Sequence, residues 1–218
     1  MESADQSIPV LSKTPEWLVV AKPAGWLSIP GRQASATVLS EWAEREHGPV
    51  WVVHRLDRET SGVLLLARTA EAHRKASLWF QKHQVRKAYD LLAQGLPCAP
   101  VMRLKTPVEG APSVTQLESK EIFAEAGCFL GRALPLSGRR HQIRIHLSEL
   151  GHPLLGDPTY RGSREILLSS GRRLSVGRVA LHAARLELPS REIFEAPWPQ
   201  DFGAWIAALR EDKLHGHR

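Results

Sequence analysis

The chain has 218 residues, of which 43% are hydrophobic and 24% are charged. This composition is typical of one globular domain and argues against collagen-like, disordered and membrane-spanning proteins. No apolar run approaches the roughly 20 residues of a spanning helix, and the polar N-terminus does not resemble a signal peptide. The two cysteines show no disulfide spacing, which suits a reducing compartment. We therefore expect a cytoplasmic protein with a single domain over residues 1–218, ordered at about 12–210 and loose at both termini.

The positive charge is unevenly distributed along the chain. The formal net charge is +6, and the segment 131–191, which contains eleven arginines, no lysine and four acidic residues, carries all of this excess. Arginine's planar guanidinium matches phosphate oxygens and stacks on bases, so the segment indicates a polyanionic partner and favours nucleic acid. A solvated basic face is the simpler alternative.

The apolar patterns and turn residues predict interleaved strands and helices. In chain order, we predict a strand at 17–21, a helix at 37–47, strands at 51–53 and 62–67, a helix at 70–83, strands at 86–94, 114–123 and 128–136, a helix at 141–150, a strand at 179–188 and a helix at 201–209. Because strands and helices alternate without regular βαβ spacing, the sequence favours the α+β class with a mixed sheet.

The best-defined helix has Ile143, Leu147 and Leu150 at helical spacing on one face, and glycine and proline follow it. Its opposite face is predicted to present Arg140 and Arg144, one turn apart. This helix lies in the middle of the arginine-rich segment.

A carboxylate lies on a short irregular link between two apolar strands. Asp57 is in the segment 54–62, which reads HRLDRETSG, and Gly62 permits a sharp entry into the next strand. Loops held by rigid strands often carry catalytic groups, so Asp57 is a candidate nucleophile or base. Alternatively, the side chain of Asp57 stabilises a turn through hydrogen bonds with Thr60 or Ser61.

The sequence around Asp57, HRLDRETSGVLLLART, resembles the signature of the RluA-type RNA pseudouridine synthases. Further stretches resemble this family in the same order: VAKPAGWLSIPG (20–31), RKAYDLLAQG (86–95), SGRRHQIRIHLSELGHPLLGDPTYRG (137–162), LHAARLEL (181–188) and EAPWPQDF (195–202). The resemblance spans residues 15–210, nearly the whole chain. It implies the pseudouridine synthase catalytic fold, with a mixed, largely antiparallel central sheet and flanking helices.

The resemblance implies an isomerase that converts specific uridines of structural RNA to pseudouridine. The bond between ribose C1′ and uracil N1 breaks, the base turns, and C1′ rejoins the base at C5. Asp57 matches the family's essential aspartate, Tyr89 its active-site tyrosine and Arg144 the arginine that pairs with the aspartate. Asp57 can add to C6, attack C1′ or remove the C2′ proton, and the sequence leaves these routes open.

The resemblance also implies how RNA is held. Arg55 matches the residue that enters the base stack when the uridine is flipped out. Five further arginines flank, in sequence, the residues expected to form the active-site cleft, and they are candidates for binding phosphates: Arg139, Arg140, Arg161, Arg172 and Arg173.

The reaction demands no cofactor, metal or nucleotide, and we expect none. The expected partner is structured RNA, an rRNA or tRNA stem-loop. We expect the protein to be a monomer that does not bind a membrane. Because the chain begins directly with the catalytic region, we expect a stand-alone catalytic domain without the small N-terminal RNA-binding domain of many relatives. The main alternative is a noncatalytic RNA-binding module that uses the arginine-rich segment 131–191.

Overall fold

A computed structural model of the chain describes residues 8–31 and 37–215. Its secondary-structure elements are, in chain order, β1 (Val10–Lys13), β2 (Trp17–Lys22), α1 (Leu39–His47), β3 (Trp51–Val52), β4 (Ser61–Ala67), α2 (Ala70–Gln81), β5 (Arg86–Gln94), β6 (Val101–Leu104), β7 (Thr115–Phe123), β8 (Cys128–Pro135), α3 (Gln142–Glu149), a 3-10 turn (Pro158–Tyr160), β9 (Glu165–Leu167), β10 (Arg173–Ser175), β11 (Leu181–Glu187), β12 (Ile193–Glu195) and α4 (Gln200–His215).

The chain forms two compact units. The first, here the N-terminal unit, consists of Met1–Val85 and Arg185–Ala196, and the second, the C-terminal unit, consists of Arg86–Ala184 and Pro197–Arg218. Strand β11 contributes residues to both units. The expectation of one domain over the whole chain stays a prediction.

In the N-terminal unit, β2 pairs antiparallel with β1 and β4, and β3 also pairs antiparallel with β4. All seven residues of β4 are buried, as expected for a strand covered on both faces. Helix α2 begins where the Thr69 hydroxyl accepts a hydrogen bond from the N–H of Ala72. Its Ala72 and Ala76 pack in one cluster with Trp17 of β2 and Leu65 of β4.

In the C-terminal unit, β5, β8, β7 and β6 form successive antiparallel pairs. On one face of β5, Leu91 packs in a cluster with Ile143 and Leu147 of α3. On the other face, Leu92 packs in a cluster with Phe202 of α4. Helices therefore cover both faces of this sheet. Strands β9 and β10 form a separate antiparallel hairpin.

The α+β class and the largely antiparallel pairing are confirmed, and a parallel bridge between Leu27 and Val38 is among the exceptions. Strand β5 has the predicted limits, and α2 begins at the predicted residue. Secondary structure extends beyond the range 12–210 that was predicted to be ordered: β1 begins at Val10 and α4 continues to His215. The remaining terminal residues that were expected to be loose, 1–7 and 216–218, lie outside the described residues. None of the helices in the described ranges has the length and hydropathy to cross a bilayer.

Candidate active site

The loop that carries Asp57 lies between β3 and β4 in the N-terminal unit and is partly buried. The hydroxyl of Ser28 fixes Leu56, the residue before Asp57. Ser28 Oγ accepts from the N–H of Leu56 at 3.0 Å and donates to the carbonyl oxygen of Leu56 at 2.9 Å. The carbonyl oxygen of Asp57 accepts from the N–H of Thr60 at 3.1 Å and closes a turn. The backbone of this loop is thus held on both sides of the carboxylate.

A buried lysine fixes the residue after Asp57. The ammonium of Lys22, which is 1% exposed, donates to the carbonyl oxygens of Pro23, Trp26 and Arg58 at 2.9, 2.8 and 3.0 Å. The N–H of Gly25 also donates to the carbonyl of Arg58, and Arg58 Nε donates to the carbonyl of Gly25. Lys22 therefore joins the turn after β2 to the Asp57 loop, and its positive charge is spread over carbonyl dipoles.

His54, at the start of the same loop, contacts both a strand and a helix. Its Nε2 accepts a hydrogen bond from the N–H of Leu65 in β4 at 3.0 Å, which requires the lone pair to be on Nε2. Its ring stacks on Phe80 of α2 with centroids 4.7 Å apart. His54 therefore anchors the loop between a strand and a helix.

Tyr89 lies on β5 in the C-terminal unit, opposite Ala133 of β8. Its partly buried ring packs against the cluster that includes Leu91 and Ile143. The ring of Tyr89 is therefore supported by the packed core of the C-terminal unit.

Arg144 is buried in α3 and forms a bidentate ion pair with a residue that the sequence pattern did not indicate. Its Nε and Nη2 donate to Oδ2 and Oδ1 of Asp157 at 2.7 and 2.8 Å. The side chains of Arg144 and Asp157 are 8% and 0% exposed. The Arg144 guanidinium also lies 4.9 Å from the ring centroid of Tyr160. The arginine is therefore fixed in orientation by its own unit.

Two further polar residues of α3 are buried. The two ring nitrogens of His146 lie 2.9 Å from Thr115 Oγ1 and 2.8 Å from the carbonyl oxygen of Thr106. Gln142 donates to Thr115 Oγ1, and its Oε1 accepts from the hydroxyl of Ser137 and the N–H of Arg139. This network attaches α3 and the turn before it to β7.

The prediction that Arg140 and Arg144 share a face of this helix is wrong. Helix α3 begins at Gln142, after His141 in a left-handed conformation with φ of 55°. Arg140 therefore lies in the preceding turn, exposed, while Arg144 is buried within the helix.

The six arginines expected to contact RNA are all exposed: Arg55, Arg139, Arg140, Arg161, Arg172 and Arg173. Arg173 also pairs with exposed Glu165 at 2.8 Å. Other arginines of the segment 131–191 form internal ion pairs with acids outside that segment: Arg132 with Asp90, Arg178 with Asp201 and Arg185 with Glu195. Part of the local charge excess is therefore neutralised within the fold.

The expected site residues fall in both units. Asp57 and Arg55 belong to the N-terminal unit, whereas Tyr89, Arg144 and the five phosphate-binding candidates belong to the C-terminal unit. The pairing of Asp57 with Arg144 and the roles of these residues stay predictions. Sequence reasoning missed Lys22 and Asp157, although both are in stretches that carry the family resemblance, KP at 22–23 and GDP at 156–158.

A family model described as RNA pseudouridylate synthase matches residues 16–149 of this chain. The chain is 35% identical to ribosomal large subunit pseudouridine synthase D of Pasteurella multocida, with 91% of this chain and 70% of that protein covered. It is 31% identical to tRNA pseudouridine synthase C of Salmonella typhi, with 83% and 80% covered. The chain belongs to the RNA pseudouridylate synthase family, as the resemblance indicated, and the noncatalytic alternative is not favoured.

Solved structures agree on the fold. Human RNA pseudouridylate synthase domain containing 4 has a TM-score of 0.74 at 24% identity, with 93% of each chain covered. Human RNA pseudouridylate synthase domain containing 1 has a TM-score of 0.71 at 26% identity, with 96% of this chain and 98% of that chain covered. The expected pseudouridine synthase catalytic fold is therefore confirmed.

Proposed function

We propose that this protein isomerises specific uridines of rRNA or tRNA to pseudouridine, with Asp57 as the essential carboxylate. The observation that carries the proposal is the fixed backbone on both sides of Asp57, where Ser28 holds Leu56 and Lys22 holds Arg58. Catalysis requires a reacting group held close to its productive geometry, and a loop with a fixed backbone supports this role for Asp57. The names of the two curated relatives, one acting on ribosomal RNA and one on tRNA, supply the two substrate classes.

The reaction needs no net gain or loss of atoms. The C1′–N1 bond breaks, a C1′–C5 bond forms, and the proton lost from C5 is balanced by one gained at N1. Asp57 starts the reaction by addition to C6, attack on C1′ or removal of the C2′ proton. In this proposal Tyr89 stacks on the uracil and assists proton transfer at C5, and Arg144 stabilises the ionised aspartate.

RNA binding in this proposal depends on the exposed arginines. Arg55 occupies the space that the flipped uridine leaves in the stack, which offsets part of the cost of flipping. Arg139, Arg140, Arg161, Arg172 and Arg173 contact phosphates, and each contact makes binding more sensitive to salt. The monomeric state and the cytoplasmic location stay predictions from the sequence.

The test is pseudouridine formation in RNA from a strain that lacks this gene. We expect the purified protein to restore pseudouridine at a defined position, and Asp57→Asn to abolish product while RNA binding remains. Glu59→Gln is the matched control, because Glu59 is on the same loop, with 44% side-chain exposure and an Arg58 contact of 3.8 Å. Wild-type protein that binds RNA but forms no product in any host RNA would establish the noncatalytic alternative instead.

A further inference from the structure

Lys87 is a partly buried cation that the proposed chemistry does not use. It lies on β5 two residues before Tyr89, so the two side chains share one face of the strand. Its ammonium donates to the carbonyl oxygen of Ser137 at 2.9 Å. Among the described residues this is its one hydrogen bond, and no carboxylate lies within ion-pair distance of it. Since an ammonium has three donors, two N–H bonds of Lys87 have no protein acceptor there.

The environment of Lys87 disfavours its charge. Burial lowers the pKa of Lys87 to about 8, so the side chain is still mainly cationic at neutral pH. A partly buried cation without a carboxylate partner reduces the stability of the fold. Partly buried charges that lack an ion-pair partner are concentrated at functional sites, where a ligand supplies the missing interaction.

The surroundings of Lys87 are suited to an anion. The turn that begins at Ser137 continues through Gly138, where an added Cβ would lie 3.6 Å from the Lys87 Nζ, to the exposed residues Arg139 and Arg140. The turn is rigid because the Gln142 side chain accepts hydrogen bonds from Ser137 Oγ and Arg139 N, as described above. The C-terminal unit thus has Lys87 on β5 in contact with a fixed turn that carries two exposed arginines.

We propose that Lys87 binds a phosphodiester oxygen of the RNA nucleotide next to the uridine that stacks on Tyr89. The rise of a strand separates residues at positions i and i+2 by about 7 Å, which is within the span of one nucleotide. This inference rests on the proposed function, because it takes the position of the flipped uridine from the role given to Tyr89.

The salt dependence of RNA binding tests this role. We expect Lys87→Met to weaken binding several-fold and to reduce the slope of log K against log salt by about 0.7–0.9, the value for one lost phosphate contact. Lys87→Arg, which keeps the charge, should retain the slope. Lys105→Met is the matched control, because Lys105 is exposed in the same unit and its substitution removes the same charge. Circular dichroism checks that each variant is folded.

The possible outcomes separate this inference from the proposed function. An unchanged salt slope in Lys87→Met would overturn the phosphate contact even if wild-type protein forms pseudouridine. A fall in kcat at saturating RNA with unchanged affinity would overturn it too, and would assign Lys87 to proton transfer instead. If wild-type protein forms no pseudouridine, the proposed function fails, whereas the salt slope still reports whether Lys87 contacts RNA.

Discussion

Arg144 and Asp157 form a bidentate ion pair inside the C-terminal unit, with N–O distances of 2.7 and 2.8 Å and both side chains nearly inaccessible to solvent. Asp157 also organises the chain around it, because its backbone carbonyl oxygen accepts from the N–H groups of Tyr160 and Gly162. One residue thus fixes both a turn and the guanidinium expected to act in catalysis.

We expect Asp157→Asn to lower the free energy of unfolding by about 3–5 kcal/mol, because the change removes the carboxylate from a buried guanidinium. Urea denaturation at neutral pH measures this loss. The double variant Arg144→Met with Asp157→Leu should recover part of this stability, since neither charge of the pair remains buried. It should stay inactive if Arg144 acts in catalysis, so recovered activity would contradict the role given to Arg144.

The main elements of the fold were predictable because they depend on local patterns. The apolar run of β4 and the helical spacing of Ile143 and Leu147 in α3 indicated their structures directly. The short strands β9, β10 and β12, of three residues each, were missed because so few residues show no period. Their pairing depends on neighbours that only the folded chain supplies.

The buried polar residues were not predictable, since their partners are distant in sequence. Lys22 donates to the carbonyl of Arg58, 36 residues away, and His146 contacts Thr115, 31 residues away. An apolar period therefore marks only part of the buried surface of α3. The charge excess of segment 131–191 likewise overstated the surface available to RNA, because Arg132 and Arg178 pair with Asp90 and Asp201.

Lys22 supports the loop that carries Asp57, and its removal should affect activity more than RNA binding. Lys22→Met leaves the carbonyls of Pro23 and Trp26 without this donor, whereas the carbonyl of Arg58 still accepts from the N–H of Gly25. Since a buried acceptor left unsatisfied costs about 1–3 kcal/mol, we expect the free energy of unfolding to fall by about 3 kcal/mol.

Loss of Lys22 also releases the loop from its fixed geometry, and a displacement of 1 Å at a reacting group can reduce the rate about 100-fold. We therefore expect kcat to fall by about that factor at a temperature where the variant is folded. Lys82→Met, an exposed substitution at the end of α2, is the matched control and should leave kcat unchanged. A Lys22→Met variant with normal kcat would show that Asp57 does not depend on this support.

Asp212 of α4 makes the stability of the fold depend on pH in the acidic range. Its carboxylate accepts hydrogen bonds from the N–H and the hydroxyl of Ser169 and from the N–H of Ser170, which lie in the loop between β9 and β10. Burial alone would raise the pKa of Asp212, but these hydrogen bonds and the charge of Arg172 outweigh it and hold the pKa below its usual value. Asp212 therefore stabilises the folded state when it is ionised.

We expect Asp212→Asn to lower the free energy of unfolding at pH 7 by about 1.5–3 kcal/mol, the contribution of hydrogen bonds to a charged group. Because the pKa is lower in the folded state, this contribution is fully present above the unfolded value of about 3.9 and is lost as the pH falls through the folded value. Urea denaturation of both proteins from pH 7 to pH 3 should therefore show a constant difference that shrinks only below about pH 4.

Glu165→Gln, which removes the exposed ion pair with Arg173, should change stability by less than about 1 kcal/mol across this range. A difference between wild type and Asp212→Asn that grows on acidification would mean that the carboxylate is bound in its protonated form.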